Sequence, residues 1–309
     1  MRTVPRYLSV FTLMLCSGSL LAAPDSACKQ IRMGVANWTD VMATSAIAKQ
    51  LLSEMGYDVK QTFASESIIL TGLKDKKLDV FLGYWDPLMN AEIQSLKDNQ
   101  QITVSAAPNL THANATLAVP KYLFDQGLKT FADIARFKDA LGGKIYGIEA
   151  GSATNQQLQA LIDTDQFGLK GFRIVESSEA GMLAELQRAV NRKTPIVFFG
   201  WAPHPMNVNF DIQYLTGSND TLGPQEGAAQ VWTVTTPAFG PRCPNVQRLL
   251  DQLTFSTASE SAMMVSILAG QKPQDMAREW LKNHPDDHQR WTAGVTTYTG
   301  EPYTPGTKP

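Results

Sequence analysis

The chain has 309 residues, of which 43% are hydrophobic, 18% charged and 9% aromatic. At roughly 100 to 200 residues per domain, this length predicts two domains, each large enough for its own core. The ordinary composition excludes extended disorder and collagen-like or coiled-coil architecture. The balance of 27 basic against 29 acidic side chains, for a net charge of −2, argues against a nucleic-acid binder, because that class needs a basic face to neutralise phosphates.

The first residues have the pattern of an export signal. Arg2 and Arg6 precede a short apolar run, and small residues follow up to Ala23. The run is too short for a comfortable bilayer span, so it predicts a secretory signal peptide over residues 1–23 rather than a membrane anchor. Cleavage after Ala22 or Ala27 is the alternative. We expect an exported chain.

Export changes the interpretation of the three cysteines. Cys16 would leave with the signal peptide, and the bulky Leu15 before it disfavours a lipoprotein site there. Cys28 and Cys243 would enter an oxidising compartment, where a disulfide between them is the simplest outcome. Two separate buried thiols are the alternative. A bridge would place both ends of the mature chain in the same part of the fold.

Short strand patterns alternate with helical patterns along the chain. We predict strands over residues 31–36, 57–63, 78–83, 117–120, 144–149, 172–175, 195–200 and 231–235. We predict helices over residues 41–55, 67–74, 156–162, 180–190, 246–255, 260–269 and 274–283. This alternation predicts an α/β fold. Residues 284–288 carry two histidines, but we interpret them as a solvated loop at a helix end, and we expect no metal or cofactor.

Three of the six tryptophans share one structural position. Trp38, Trp85 and Trp201 each directly follow a predicted strand. Ligands bind outside the carboxyl ends of the strands in open α/β sheets, so we expect these indoles to gather at the rim of one cleft. Core packing is the alternative for any single tryptophan. We assign the remaining three to that alternative: Trp232, Trp280 and Trp291.

The chemistry of the indole ring predicts the kind of ligand. An indole face is electron-rich and attracts a cation, and tryptophan is the strongest such ring. A quaternary ammonium group has no N–H to donate, so aromatic faces meet it better than carboxylates do. Three rings supply about 6 kcal/mol at roughly 2 kcal/mol for each desolvated contact. Micromolar affinity requires roughly 8 kcal/mol, so a cage of three indoles brings it within reach.

Polar residues near the tryptophans are candidates for contacts with the rest of the ligand. Asp40 could attract the cation or accept a hydrogen bond from a ligand hydroxyl, and a helix N-cap is its alternative role. Residues 151–155 lie at a predicted helix start, where Ser152 and Asn155 could meet a ligand hydroxyl or carboxylate. Simple capping of that helix explains Ser152 equally well.

Four motifs carry a resemblance to a known family: Gly34-Val35-Ala36-Asn37-Trp38-Thr39-Asp40, Leu82-Gly83-Tyr84-Trp85-Asp86-Pro87, Tyr146-Gly147-Ile148-Glu149 and Gly200-Trp201-Ala202-Pro203. The mature chain resembles the periplasmic substrate-binding proteins of ABC importers for choline, glycine betaine and related osmoprotectants, above all the choline-binding branch. The resemblance implies two α/β lobes of the type II-like periplasmic binding protein class, joined by hinge strands around a ligand cleft. Lobe I would comprise residues 24–113 and 226–309, and lobe II residues 114–225.

The resemblance also implies roles for individual residues. Trp38, Trp85 and Trp201 match the family's aromatic box around a trimethylammonium group, Asp40 matches the acidic residue near the choline hydroxyl, and Asn155 matches a polar ligand contact. The implied partner is an ABC permease in the inner membrane, and the implied receptor is a periplasmic monomer.

One position departs from the family pattern. A tyrosine of the family's aromatic box corresponds here to Ala115. Loss of the phenol opens space for a larger ligand such as carnitine or an acyl choline, unless Tyr84 or Tyr122 replaces it. Asp40 would repel the carboxylate of carnitine unless that group pointed toward Asn155. We therefore favour choline, with carnitine close behind and glycine betaine third.

These patterns predict a binding protein and not an enzyme. Trp38 and Trp85 would lie on one lobe and Trp201 on the other, so a cation would complete its cage only when the cleft closes. An exported choline-ester hydrolase is the remote alternative, although the chain has no Gly-x-Ser-x-Gly elbow. A general base for such an enzyme would come from the four histidines: His112, His204, His284 and His288.

Overall fold

The computed structural model describes residues 28–306. The predicted signal peptide over residues 1–23 lies outside the described residues, and so does Cys16. Within the described range, no helix is both long and apolar enough to cross a bilayer.

The described chain forms a mixed sheet with helices packed against it. The strands are β1 (Gln30–Ala36), β2 (Asp58–Ala64), β3 (Val80–Asp86), β4 (Thr103–Val104), β5 (Leu110–Pro120), β6 (Lys144–Tyr146), β7 (Arg173–Val175), β8 (Phe198–Ala202), β9 (Ile212–Tyr214) and β10 (Ala228–Thr235). The helices are α1 (Thr39–Glu54), α2 (Glu66–Lys74), α3 (Asn90–Asp98), α4 (Lys121–Asp125), α5 (Lys138–Leu141), α6 (Ala153–Asp163), α7 (Glu179–Arg192), α8 (Met206–Asn209), α9 (Pro224–Gly227), α10 (Phe239–Arg242), α11 (Pro244–Gln252), α12 (Thr257–Leu268), α13 (Pro273–Asn283) and α14 (Pro285–Trp291). Short 3₁₀ helices span Phe131–Phe137 and Gln166–Gly168.

The order of the strands is pseudo-symmetric about the centre of the sheet, because β2-β1-β3 at one edge corresponds to β7-β6-β8 at the other. It runs β2-β1-β3-β10-β5-β8-β6-β7, with β4 on β10 and β9 on β5. The outer strands pair in parallel on each side, and β10 and β5 pair antiparallel in the middle. The chain therefore contains two units of the same form, β1-α1-β2-α2-β3 and β6-α6-β7-α7-β8. We call them the first and second βαβαβ units.

Strand β5 connects the two units through a change of partner. From Leu110 to Asn114 it pairs with β10, and from Asn114 to Ala118 it pairs with β8, so Asn114 pairs with both strands. Strand β10 returns from Ala228 to pair with β3 of the first unit. These crossings lie near the predicted lobe boundaries at 113/114 and 225/226. The exact division into lobes stays a prediction, which the change of partner supports.

Two glycines let helices approach the first unit closely. A Cβ atom on Gly34 would lie 2.7 Å from Cγ2 of Ile69 in α2, and one on Gly83 would lie 2.6 Å from Cγ2 of Val41 in α1. Strand β3 is buried from Val80 to Trp85, as expected for a parallel strand that is covered on both faces. Close packing fixes the ends of β1 and β3, where two of the tryptophans lie.

The predicted strands near the tryptophans are present, but their ends differ. Strands β3 and β8 run on to Asp86 and Ala202, so Trp85 and Trp201 lie within the last residues of their strands rather than after them. Trp38 lies two residues beyond the end of β1, after Asn37. All three tryptophans thus lie at the carboxyl end of a strand.

The predicted loop at residues 284–288 is wrong. These residues begin helix α14, with Pro285 at its start and two aspartates in its first turn, an arrangement typical of helix N-termini. His288 is buried there, and its Nε2 lies 2.9 Å from the hydroxyl of Tyr303. Within residues 28–306, no three His, Cys, Asp or Glu side chains are placed to hold a metal ion.

A disulfide joins Cys28 to Cys243, as predicted. The two Cα atoms are 5.4 Å apart, and 215 positions separate the residues in sequence. Both side chains are buried. The start of the described chain is thereby tied to the segment between α10 and α11.

Candidate ligand-binding site

One cavity collects the three tryptophans and the aspartate that the sequence singled out. Its lining comprises Trp38, Asp40, Trp85, Leu88, Ala115, Ile148, Thr154, Phe199 and Trp201. Both βαβαβ units contribute to it, so the cavity lies between them.

Trp38 connects the first unit to the second. It is the N-cap residue of α1, and its Nε1 donates to both carboxylate oxygens of Glu149, at 2.9 and 3.0 Å. Glu149 follows β6 of the second unit. This bond fixes the plane of the Trp38 ring across the cavity. The spacing of the sequence contains no signal for it, because the two residues are 111 positions apart.

Trp85 and Trp201 occupy equivalent positions in the two units. Each lies at the carboxyl end of the third strand of its unit, two residues before a proline. The Asp86–Pro87 and Ala202–Pro203 peptide bonds are both cis. The two indoles are each 5% exposed, so a ligand between them would lose most of its contact with water.

Asp40 supplies a buried charge beside the rings. It lies in the first turn of α1 but is not the N-cap residue, which is Trp38. Its Oδ2 accepts a hydrogen bond of 3.1 Å from Nε1 of Trp85, and its Oδ1 has no partner among the described residues. Burial, together with the nearby Glu179 carboxylate, raises the pKa of Asp40 to about 7. A cation in the cavity would favour the charged form.

Trp201 is held by aromatic neighbours. Its ring stacks on Phe199 with centroids 5.8 Å apart, and the ring of His204 meets it edge-on at 4.9 Å. Phe199 and Trp201 are two residues apart in β8 and therefore face the same side of the sheet. Phe199 was not predicted from the sequence, although this spacing could have indicated it.

Ser152 and Asn155 do not line the cavity. The Ser152 hydroxyl accepts from the Asn155 backbone N–H and caps α6. The Asn155 side chain accepts from the Ile148 N–H at 3.1 Å and donates to the Ile148 carbonyl at 2.9 Å. A Cβ on Gly147 would lie 2.2 Å from Oδ1 of Asn155, which explains the glycine in that motif. Asn155 therefore positions the loop that carries Ile148, while Thr154 contacts the cavity.

The position of the missing tyrosine is also clear. Ala115 lies directly opposite Trp201 in the pairing of β5 with β8. Neither predicted substitute reaches the cavity, because the Tyr84 hydroxyl donates to Asn90 at 2.6 Å and the Tyr122 hydroxyl donates to the carbonyl of Thr194 at 2.6 Å. In this structure, therefore, neither tyrosine takes the place of the phenol in the lining of the cavity. Phe199 and Leu88 are the additional apolar walls.

The geometry of His204 bears on the hydrolase alternative. Its Nδ1 accepts from the Met206 backbone N–H at 2.9 Å, and its Nε2 lies 3.2 Å from Glu179. Both ring nitrogens are therefore occupied, and His204 is not free to activate a serine as a general base. Among the four histidines, it is the one that packs on a cavity ring.

Comparison with known proteins agrees with the fold and identifies the family of the chain. The sequence model of OpuAC, the substrate binding domain of ABC-type glycine betaine transport systems, matches residues 29–283. A Listeria monocytogenes protein, the glycine betaine/carnitine transport binding protein GbuC, is 30% identical over 157 residues, and the match spans 51% of each chain.

Two solved structures share 42% sequence identity with the chain. An ABC-transporter choline binding protein in complex with choline has a TM-score of 0.87, with 89% of this chain and 96% of that chain covered. An ABC-transporter choline binding protein in an unliganded semi-closed conformation has a TM-score of 0.80, with 88% and 94% covered. The present structure is thus more similar to the choline complex than to the unliganded form.

The fold and these matches define a two-lobed substrate-binding protein of the periplasmic binding protein class, and the matched family and solved structures are transport proteins rather than enzymes. Within that class, the chain belongs to the OpuAC family, the substrate-binding domains of ABC-type glycine betaine transport systems.

Proposed function

We propose that the protein is an exported receptor that binds a quaternary ammonium compound, with choline favoured, and delivers it to an ABC permease. The observation that carries this proposal is the convergence of three buried indoles and one buried carboxyl group on a single small cavity. In this proposal Trp38, Trp85 and Trp201 surround the methylated nitrogen. Asp40 accepts a hydrogen bond from the ligand hydroxyl or compensates the positive charge.

The energetics favour a cation with methyl groups over a simple amine. A primary ammonium group needs hydrogen-bond acceptors for its N–H groups, and the lining of the cavity is mainly aromatic and aliphatic. Three desolvated cation–π contacts contribute about 6 kcal/mol. The charge of Asp40 adds attraction inside a site of low dielectric constant. Together these terms approach the roughly 8 kcal/mol of a micromolar complex.

The charge of Asp40 ranks the candidate ligands. Choline carries a hydroxyl and no carboxylate. Its hydroxyl can donate a hydrogen bond to Oδ1 of Asp40, which has no partner among the described residues. Carnitine and glycine betaine carry a carboxylate, which a charged Asp40 would repel. The choline complex at 42% identity supports choline. The name of GbuC keeps carnitine and glycine betaine as alternatives.

In the proposed function, Ser152 and Asn155 support the cavity instead of contacting the ligand directly. Both side chains have partners in the second unit, so we propose that they shape the wall of the cavity around Ile148 and Thr154. The hydroxyl of Thr154 is the polar group that this segment would offer to a ligand.

Calorimetry with choline, carnitine, glycine betaine, acetylcholine and an uncharged analogue, 3,3-dimethylbutanol, tests the proposal. The analogue has the shape of choline without its charge. We expect choline to bind most tightly and the analogue at least about tenfold more weakly, since the cation–π term is lost. Equal binding of choline and the analogue would refute the aromatic cage, and no binding of any methylated ammonium compound would refute the proposed function.

A further inference from the structure

Two buried glutamates cross the cleft in opposite directions. Glu66 is the first residue of α2, and its carboxylate accepts from the backbone N–H of Ala153 at 3.3 and 3.4 Å. Glu179 is the first residue of α7, and its carboxylate accepts from the backbone N–H of Thr39 at 2.9 Å and from the Thr39 hydroxyl. Both glutamates are 3% exposed.

Each carboxylate meets the amino-terminal end of a helix in the other unit. Thr39 is the first residue of α1, whose N-cap residue Trp38 makes no capping bond with its side chain in the described structure. Ala153 is the first residue of α6, where Ser152 caps only the N–H of Asn155. The first N–H groups of a helix have no partner within the helix, and the helix dipole favours an anion there. The glutamates of the opposite unit satisfy both groups.

The arrangement follows the symmetry of the sheet. In each βαβαβ unit the glutamate starts the second helix, and in each unit it caps the first helix of the other. Neither contact can exist unless the two units meet. Both capped residues adjoin the cavity, because Thr39 lies between Trp38 and Asp40 and Ala153 precedes Thr154.

We propose that Glu66 and Glu179 are positioning residues that form a reciprocal latch, which holds the cleft closed and sets the residence time of the ligand. We use "latch" for the two pairs Glu66–Ala153 and Glu179–Thr39. The ligand part of this inference rests on the proposed function, whereas the closure part does not depend on which compound binds.

The latch has different electrostatic surroundings at its two ends. The carboxylates of Glu92 and Glu149 lie near Glu66. Burial and the two neighbouring carboxylates, opposed by the Ala153 hydrogen bond, together raise the pKa of Glu66 to about 8. Glu179 instead lies beside the ring of His204 and near Asp40. A charge on Glu66 is disfavoured in the closed cleft, so we expect closure at the Glu66 end to weaken as the pH rises toward 8.

Amide hydrogen exchange in the full-length protein, free and with choline, tests the latch through its reciprocity. Glu179→Ala should increase the exchange rate about tenfold at Thr39, which loses its cap, and also at Ala153, whose own partner Glu66 is intact. Glu66→Ala should likewise increase exchange at both positions. The control is Glu185→Ala, which removes an exposed glutamate of the same helix α7 and should change neither rate.

A local increase alone would overturn the latch. If Glu179→Ala affects only Thr39 and Glu66→Ala only Ala153, the glutamates are simple helix caps. Stopped-flow measurement of choline release should show about tenfold faster dissociation in both alanine variants, and unchanged rates would also overturn the proposal. Because the exchange experiment works without ligand, failure of choline to bind would refute the proposed function and leave the latch testable.

Glutamine variants keep the test valid if an alanine variant fails to fold. Glu66→Gln retains an acceptor for Ala153 and removes the charge that Glu92 and Glu149 repel. We expect the ratio of the choline release rate at pH 9 to that at pH 6 to be smaller in Glu66→Gln than in the original protein, because Asp40 is unchanged in both and only the charge of Glu66 differs. An identical pH dependence of release in Glu66→Gln and the original protein would contradict the role of Glu66.

Discussion

The indole nitrogen of Trp85 donates a hydrogen bond of 3.1 Å to Oδ2 of Asp40, so a ring and a carboxyl group that line the cavity are held as one unit. The same bond orients Asp40 and leaves its Oδ1 without a partner among the described residues. A ligand that enters this cavity meets a fixed aromatic face and a buried carboxyl group together. The protonation state of Asp40 therefore affects every charged ligand.

Choline affinity should fall as the pH falls through 7. Burial, with Glu179 nearby, raises the pKa of Asp40 to about 7, and a bound cation favours the charged form. Below that pKa the free protein carries a proton that choline must displace, so affinity decreases by up to about tenfold per pH unit. Calorimetry at pH 5.5, 7 and 8.5 measures this slope.

Asp40→Asn is the matched variant, because it keeps an acceptor for Trp85 and cannot ionise. It should bind choline more weakly than the original protein at pH 8.5, with a flat pH dependence. Glycine betaine should show the opposite trend in the original protein, since protonated Asp40 can donate to its carboxylate. A steep choline slope that persists in Asp40→Asn would contradict the role of Asp40.

Trp201→Ala should weaken choline binding by about 2 kcal/mol or more, roughly 30-fold, because the second unit loses its indole wall. Calorimetry is the appropriate measurement, because its signal does not depend on the fluorescence of the tryptophan that is removed. The control is Trp280→Ala: this ring stacks on His284 with centroids 3.7 Å apart and does not line the cavity. Unchanged affinity in Trp201→Ala, with a normal unfolding curve, would show that the ring is not part of the site.

The sequence located the rings of the cavity but not the contacts that hold them. A tryptophan at the carboxyl end of a strand is a local pattern, and the topology of α/β sheets converts it into a position in space. The partners of Trp38 and Thr39 are Glu149 and Glu179, which lie 111 and 140 positions away. No sequence periodicity connects residues at such distances, so the sequence could not predict the hydrogen bonds across the cleft.

The errors in the prediction have local physical reasons. Helix α14 was interpreted as a loop because proline and aspartate are common in turns, yet both also favour the first turn of a helix. The sequence does not reveal the twofold repetition of the βαβαβ units. Two segments can bury their side chains and pair their strands in the same way without having the same residues at corresponding positions. The clearest trace of this repetition is the Trp-x-Pro pattern of Trp85 and Trp201.

Loss of the disulfide should lower stability without changing the site. The Cys28–Cys243 bond closes a loop of 215 positions. A disulfide typically contributes about 2–4 kcal/mol to the free energy of unfolding. We expect Cys28→Ser/Cys243→Ser to show that loss in urea unfolding with unchanged choline affinity, since neither cysteine lines the cavity. The original protein unfolded under reducing conditions is the control and should match the variant. Equal stability with and without reductant would contradict the prediction.

Ala115→Tyr should narrow the choice of ligand. Ala115 lies opposite Trp201 across β5 and β8, where the Cβ atoms of paired residues are about 4.5–5.5 Å apart. A phenol there fills part of the cavity and adds a ring beside the indole, so carnitine should lose affinity while choline keeps or gains it. Ala115→Val separates the two effects, because it takes up space without adding an aromatic face. Competition binding of the two ligands to both variants measures the ratio. If valine and tyrosine change the choline-to-carnitine ratio equally, volume alone sets the selectivity, and an increase in carnitine affinity with tyrosine would contradict the assignment of this wall.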